Sequence, residues 1–357
     1  MSDLPVPEIQ LGSAIVREGG RPYVIAEVGV NHEGSLTRAF GMIEAAAEAG
    51  ASAVKFQTYK ANLLASRFSP SYWDTSKEPQ QSQFDLFSKF DVFEPEDYES
   101  LAEKCRDSGV DFASTPFDSG AVDFLDPLVS FFKIASADIT NFPLLRAIGA
   151  KIKPVIISTG ASTKGEIESA IKELKRAGTP EIAIMHCILS YPTVDSQAQL
   201  GMISDIRRSF PGHVIGYSDH TAPKPDLPSL LIANTLGAMV LEKHFTDNKK
   251  AKGNDHYHAM DASDLRNFLA VNEFNRTLVG DLLLKEPTEA ESDARVHARR
   301  SIVLSRDVVR GTMLNEVDLI PKRPGSGISP VHWDKVIGRV VTKDLEQDTL
   351  LDWSHFD

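Results

Sequence analysis

Cysteine is scarce in this sequence: Cys105 and Cys187 are the only two among 357 residues. They lie far apart and fit no paired spacing, so neither a disulfide framework nor a paired-cysteine metal site is expected. Both are predicted to be buried thiols in a reducing cytosol. Long apolar runs are missing too. No stretch approaches the roughly 18 residues that a membrane span requires. The first ten residues, MSDLPVPEIQ, lack the basic start and apolar centre of a secretory leader. A cytoplasmic protein with no membrane partner is the expectation. Positive charge is in deficit, with 38 Lys and Arg against 50 Asp and Glu and a net charge of −12. A general nucleic-acid or anionic-lipid footprint is therefore not expected, and an anionic substrate would need a locally basic pocket. Gly-rich phosphate loops of the Walker or dinucleotide type do not occur, which argues against ATP and NAD.

What is present is a rhythm. Short apolar runs begin at Tyr23, Ala53, Val110, Phe131, Pro154, Ile182, Val214 and Ala238. Helix-period segments separate them, at 36–49, 95–108, 164–177, 197–210, 225–236 and 262–279, with shorter ones at 121–128 and 143–148. Several carry start and stop signals: Ser35 and Gly50 bracket the first, and Thr163 with Glu166 forms a capping box closed by Gly178. About eight near-continuous apolar strands alternating with helices predict a parallel sheet buried on both faces.

An open doubly wound sheet and a closed barrel both fit this α/β rhythm. The strand ends favour the barrel. Nearly every run ends in a polar residue: Glu27, Lys55 with Gln57, Thr115, Lys133 with Ser136, Ser158, His186, Ser218 with His220, and Glu242 with His244. An open sheet concentrates function at one switch point, whereas a barrel gathers all its C-terminal strand ends around one mouth. The expected fold is a (β/α)8 TIM barrel over residues 1–284. A charged linker is expected at 285–300 and a small β-rich domain at 301–357, with β-like pieces at 301–305 and 336–341. Residues 1–22 read as an entry arm. The polar and aromatic stretch 60–93 is too long for an ordinary connection. It reads either as a lid over the mouth or as a surface insertion.

Three groups of residues carry chemistry. Ser218 and His220 share one strand face, as do Glu242 and His244, since side chains alternate along a strand. Two imidazoles beside a carboxylate and a hydroxyl suit an incomplete coordination sphere for a divalent metal. Singly, each His is equally an ordinary hydrogen-bonded strand-end residue. Lys55 and Lys133, near the hydroxyls of Ser136, Ser158 and Ser218, suit a phosphate-plus-carboxylate ligand. A Schiff-base role for a strand lysine stays open. Glu27, Glu242 and Asp255 supply acid, and Glu27 reads either as a reactive carboxylate or as a helix cap or lysine partner.

These residues sit in motifs: EVGVNHEGS from Glu27, VKFQT from Val54, STPF from Ser114, STGA from Ser158, HC and then YPT after His186, GYSDHT from Gly216, LEKHFT from Leu241 and KRPG from Lys322. Together, from Tyr23 to the C-terminus, they resemble the sialic acid (N-acetylneuraminate) synthase family, which includes legionaminic and pseudaminic acid synthases. The resemblance implies a barrel followed by an antifreeze-like (SAF) domain, in a domain-swapped homodimer. It implies condensation of phosphoenolpyruvate with an N-acylated hexose of the N-acetylmannosamine type, releasing phosphate. His220 and His244 would hold a divalent metal, manganese before magnesium or cobalt. Lys55, Lys133, Ser136, Ser158 and Ser218 would hold phosphoenolpyruvate, and Glu27 would face the reacting sugar carbon. Gln57, Thr115, Tyr191, Glu242 and Asp255 would line the pocket. Arg323 would reach the N-acyl group from across the dimer. Leu189, Asp138 and the His-rich GNDHYHAMD from Gly253 depart from the family's pattern. Two other functions fit the composition: a metal-dependent sugar-acid lyase or aldolase, and a non-catalytic carbohydrate-binding protein.

Overall fold

The computed structural model describes residues 6–71, 73, 75, 78–253, 255–280 and 285–357. The chain forms two compact units, Met1–Gly280 and Asp281–Asp357.

The first unit opens with an antiparallel hairpin, Glu8–Leu11 and Ala14–Arg17, within the stretch expected as an entry arm. Eight parallel strands follow: β1 (Tyr23–Gly29), β2 (Ala53–Thr58), β3 (Asp111–Pro116), β4 (Phe132–Ile134), β5 (Val155–Ser158), β6 (Ile182–Cys187), β7 (Val214–Asp219) and β8 (Val240–His244). They lie in the order β3-β2-β1-β8-β7-β6-β5-β4. β8 pairs with both β1 and β7, so the sheet curls back on its first strand. Every junction has a hydrogen-bonded ladder except that between β3 and β4, which pack side by side. The result is a nearly closed (β/α)8 barrel, as expected from the strand ends.

Period-two alternation explains why the strands read as continuous apolar runs. One set of side chains, including Val24, Val54, Phe112, Ile157, Ile184, Ile215 and Leu241, packs outward against the helices. The other set points into the barrel. Its lower positions, among them Ile25, Ala53, Ala113, Phe131, Ile156, Ala183, Met185 and Val240, pack with Ile9, Leu11 and Val16 of the hairpin. The hairpin thus closes the N-terminal end of the barrel. Gly216 belongs to this interior: a Cβ there would stand 2.6 Å from the Val240 carbonyl oxygen and 2.8 Å from Met185. No larger residue fits without moving β8. Above this apolar layer, the same inward-facing rows become polar.

The helices begin and end at the expected signals. Ser35 Oγ accepts from the Arg38 amide at 3.2 Å. Thr163 and Glu166 form the reciprocal capping box, which contributes about 1 kcal/mol. Gly178 closes that helix at φ +122°. Three boundaries differ. The helix expected over 121–128 runs instead over Ser119–Leu125, capped by Asp118. The segment expected as one helix over 197–210 is a short turn, Asp195–Gln197, followed by the helix Gly201–Ser209. The helix expected over 225–236 starts only at Pro228, because Asp226 and Leu227 take positive φ. Between β2 and the helix Pro95–Asp107, the long insertion holds helices Ala61–Leu64 and Gln83–Phe90. Residues 72, 74, 76 and 77 of it lie outside the described residues.

The second unit contains the antiparallel pair Ser301–Leu304 and Leu319–Lys322. Isolated bridges Val303–Leu350, Val308–Leu345 and Val341–Phe356 extend the pairing. Ile302, Leu304, Leu314, Leu319, Val336 and Leu351 form its own core. The piece expected as β-like at 336–341 begins as the end of a short helix, Trp333–Val336, and a turn, and becomes β-like at Val340 and Val341, which bridge to Met313 and Phe356. The expected linker holds a helix as well, Ser292–His297.

Candidate active site

Register and alternation assemble the site. Glu27 ends the inward row of β1, opposite Lys55 on β2 and His244 on β8. Glu242 lies opposite Ser218 on β7. Apart from Asp111 at the base of β3, which accepts from Tyr23 Oη, the inward rows begin apolar, and their C-terminal ends line one cavity of about 490 Å³. That size suits a small-molecule ligand. Every residue expected in the site lines this cavity except Arg323, which belongs to the second unit. Leu189 and Asp138 line it too, as do Trp73, Glu78, Gln83 and Phe87 from the long insertion. A second cavity, of about 200 Å³, lies at the hairpin end beside Glu18 and Arg207, and no strand-end polar residue reaches it.

Two lysines and two glutamates form the centre. Lys55 Nζ lies 2.5 Å from Glu27 Oε2, 3.8 Å from Glu242 Oε2 and 3.1 Å from Thr115 Oγ1. Lys133 Nζ donates to Ser158 Oγ at 2.8 Å and lies 3.4 Å from Glu242 Oε1. Ser218 Oγ donates to Glu242 at 2.9 Å, and Gln57 donates to Glu27 at 3.2 Å. Ser136 Oγ accepts the Gly160 amide at 2.8 Å. All four charged groups are nearly fully buried. Helix capping is not the role of Glu27, since Ser35 caps the first helix.

Burial and pairing pull these groups apart. Burial pushes Glu27 up to about 7; Lys55 opposes the shift and Glu242 adds to it. Burial also works against the charge on Lys55, but Glu242 and Glu27 outweigh it and the ammonium is held above its ordinary value. Lys133 goes the other way: burial lowers it and Glu242 only partly compensates. Burial raises Glu242, yet Lys133 and Lys55 carry it below its usual range. Glu27 and Lys55 touch but do not shift as a simple ion pair. Burial dominates at the glutamate and the two carboxylates dominate at the lysine.

Beside this centre lie the imidazoles. The rings of His220 and His244 are 5.4 Å apart, and Tyr191 lies over His220 at 4.2 Å. His220 Nδ1 lies 2.8 Å from the Ile188 carbonyl oxygen. His244 Nδ1 lies 3.2 Å from Asp255 Oδ2. His258 Nε2 lies 3.7 Å from Asp255 Oδ1. Two or three imidazoles and a carboxylate are a donor set that fits a divalent transition metal. His258 was not singled out from the sequence. The available signal was the Asp255-x-x-His258 spacing, which stacks two donors on one helical turn. Cys105 and Cys187 are both free and buried. Cys187 also lines the cavity, 3.8 Å from His220 Nδ1.

Comparison with known proteins places the chain. Residues 42–281 match the NeuB family, and residues 299–357 match the SAF domain. The chain belongs to the NeuB family. It is 36% identical to N,N'-diacetyllegionaminic acid synthase of Legionella pneumophila over 342 residues, 94% of either chain. It is 30% identical to pseudaminic acid synthase of Campylobacter jejuni, over 94% of this chain and 96% of that one. Its structure resembles that of N-acetylneuraminic acid synthetase from Leptospira borgpetersenii, with a TM-score of 0.72 at 30% identity, covering 82% of this chain and 96% of that one. The NeuB barrel and the SAF unit are thus both present, as the motifs implied.

Proposed function

We propose that this NeuB-family protein is a nonulosonic acid synthase that joins phosphoenolpyruvate to an open-chain N-acylated hexose and releases phosphate. The observation that carries the reading is the pair of buried ammonium groups, Lys55 and Lys133, in the same cavity as Glu27 and the imidazoles. In a chain of net charge −12, two inward lysines ringed by Ser136, Ser158 and Ser218 supply the local basic pocket that a phosphate and carboxylate need. The synthases among its relatives point the same way.

In this reading, Lys55 and Lys133 hold the two acidic groups of phosphoenolpyruvate and fix its C3 toward the aldehyde carbon of the sugar. The imidazoles would hold a divalent ion, manganese being the family's usual one, which would supply Lewis acidity toward the aldehyde. The C3–C1 bond forms and leaves cationic character at C2, which the Glu27 carboxylate stabilises. Water adds at C2, and its proton balances the one taken up by the former aldehyde oxygen. The C2–O bond to phosphate then breaks, giving the 2-keto acid and inorganic phosphate. With its carboxyl pushed up to about 7, Glu27 is also suited to take the proton of that water. Arg323, reaching across a domain-swapped dimer, would recognise the N-acyl group. That part of the proposal is tested by Arg323→Ala, which should raise KM for acylated sugars and spare phosphoenolpyruvate binding.

One observation favours a second reading. Burial lowers Lys133, the direction that a Schiff-base lysine requires. A lyase or aldolase of that kind would use pyruvate. The test is a panel of N-acetylmannosamine, a diacetamido-trideoxy hexose and mannose 6-phosphate, each with phosphoenolpyruvate or pyruvate. Phosphate release with formation of a nonulosonic acid supports the synthase. Borohydride trapping of pyruvate on Lys133 without phosphate release would replace it with the aldolase.

A further inference from the structure

The expected metal pair was His220 and His244. Among the described residues, the group of three possible ligands that comes together is different. His244, Asp255 and His258 each bring one ligand atom within 4.8 Å of the others. We infer that His258 is a direct ligand, so that a divalent transition-metal ion sits among His244, Asp255 and His258. This inference rests on the metal dependence in the proposed function, but not on which sugar is used.

The placement of His258 is built into the backbone. β8 ends at His244, and the chain returns beside it: Phe245 bridges to Met260, the Met260 amide donates to the His244 carbonyl at 2.7 Å, and the Thr246 amide donates to the Met260 carbonyl at 2.9 Å. One turn, His256–His258, lies within this return. The first histidine of the turn is anchored outside the set: its Nδ1 lies 2.7 Å from Thr246 Oγ1 and its Nε2 3.4 Å from Glu33. With His256 held there, Asp255 and His258 are presented to His244. The His244 and His258 rings stand 4.8 Å apart, and His258 is 0% exposed.

Two features separate a cation site from a hydrogen-bonded cluster. First, His244 Nδ1 is buried and makes no hydrogen bond among the described residues, although Asp255 Oδ2 is 3.2 Å away. The atoms are close but not aligned as donor and acceptor. Second, the two oxygens of Asp255 divide their attention, one 3.2 Å from the His244 nitrogen and the other 3.7 Å from the His258 nitrogen. Donors held about 2.1 Å from one ion stand roughly 3–4 Å from each other. The set is near that spacing already. Two imidazoles and one carboxylate favour a transition ion over magnesium, which prefers oxygen and water. His220, whose ring is 5.4 Å from that of His244, remains within reach of the same ion.

The test counts nitrogens on the full-length protein. Pulsed EPR of bound Mn2+ in protein labelled with 15N-histidine should report His258 as a coordinated imidazole, so that His258→Ala loses one coupling relative to wild type. Mn2+ affinity should fall by about tenfold or more in that variant, and excess Mg2+ should fail to displace Mn2+ from wild type. Circular dichroism melting shows whether His258→Ala folds, and His258→Gln serves as a second variant. An equal number of coupled nitrogens in wild type and both folded variants would overturn the inference. So would failure of wild type to bind Mn2+. Phosphate release is scored separately: a lost coupling in a protein that releases no phosphate leaves the ligand assignment standing and removes the synthase reading.

Discussion

Lys55 and Glu27 meet 2.5 Å apart at the ends of adjacent strands, both nearly fully buried. They are Cα partners in the β1–β2 ladder, so the contact is set by register. A one-residue slip of β2 would turn Lys55 outward. The pair therefore depends on the barrel ladder itself.

The first prediction concerns the charge on Glu27. Glu27→Gln keeps the shape and the contact with Gln57 but removes the carboxylate. Turnover should fall by about a hundredfold or more, the scale of losing one preorganised electrostatic contact. Phosphoenolpyruvate binding should be nearly unchanged, because the lysines remain. Phosphate release and calorimetric titration measure the two effects. A variant with wild-type kcat would remove Glu27 from the reaction.

The second follows from its ionisation. Burial pushes Glu27 up to about 7, so the carboxylate form grows as pH rises through that value. If the carboxylate is the working form, kcat/KM should climb from pH 6 to about pH 8 with a limb near 7. The residual rate of Glu27→Gln should lack that limb. A limb that persists in the variant would belong to the substrate phosphate or another group.

These predictions draw on features that the sequence shows unevenly. The barrel was legible because alternation forces each inward row to change from apolar to polar at the mouth, and Glu27, Lys55, Ser158 and Glu242 all stand at that change. The hairpin at Glu8–Leu11 was less visible, since its strands are four residues long and split by Gly12. His258 was hidden for another reason. It lies beyond β8 in an irregular turn, and only the return of the chain along Phe245 and Met260 brings it to His244. Such a contact follows from tertiary pairing, with no periodic signal to announce it.

The third prediction tests the scaffold around the mouth, on the outer face of β7 and β8. Lys243 Nζ lies 2.9 Å from Asp219 Oδ2, and neither side chain is exposed. Asp219 also accepts from Tyr217 Oη, Ser229 Oγ and the Thr221 amide. Burial pushes Asp219 up, but Lys243 and these donors hold it below its ordinary value. Lys243→Met strands the carboxylate without its cation and should cost about 3–5 kcal/mol in urea unfolding. A loss under about 1 kcal/mol, typical of a surface pair, would show that water reaches Asp219.

The fourth concerns the metal. In the proposed reading, Lys55 and Lys133 hold the acidic substrate without help from the imidazoles, so the two functions should separate. Protein treated with chelator and desalted should release no phosphate from phosphoenolpyruvate and acceptor sugar, and should recover on addition of Mn2+. Phosphoenolpyruvate should still bind the metal-free protein, with an affinity set mainly by the two lysines. His244→Ala should behave like the chelated protein and should not be rescued by Mn2+. Lys133→Ala should do the reverse, retaining Mn2+ but losing phosphoenolpyruvate. Full turnover in metal-free protein would take His220, His244 and Asp255 out of the chemistry. They would then be structural, holding the loop after β8 against the barrel, and the sugar aldehyde would have to be activated from the lysine side of the cavity.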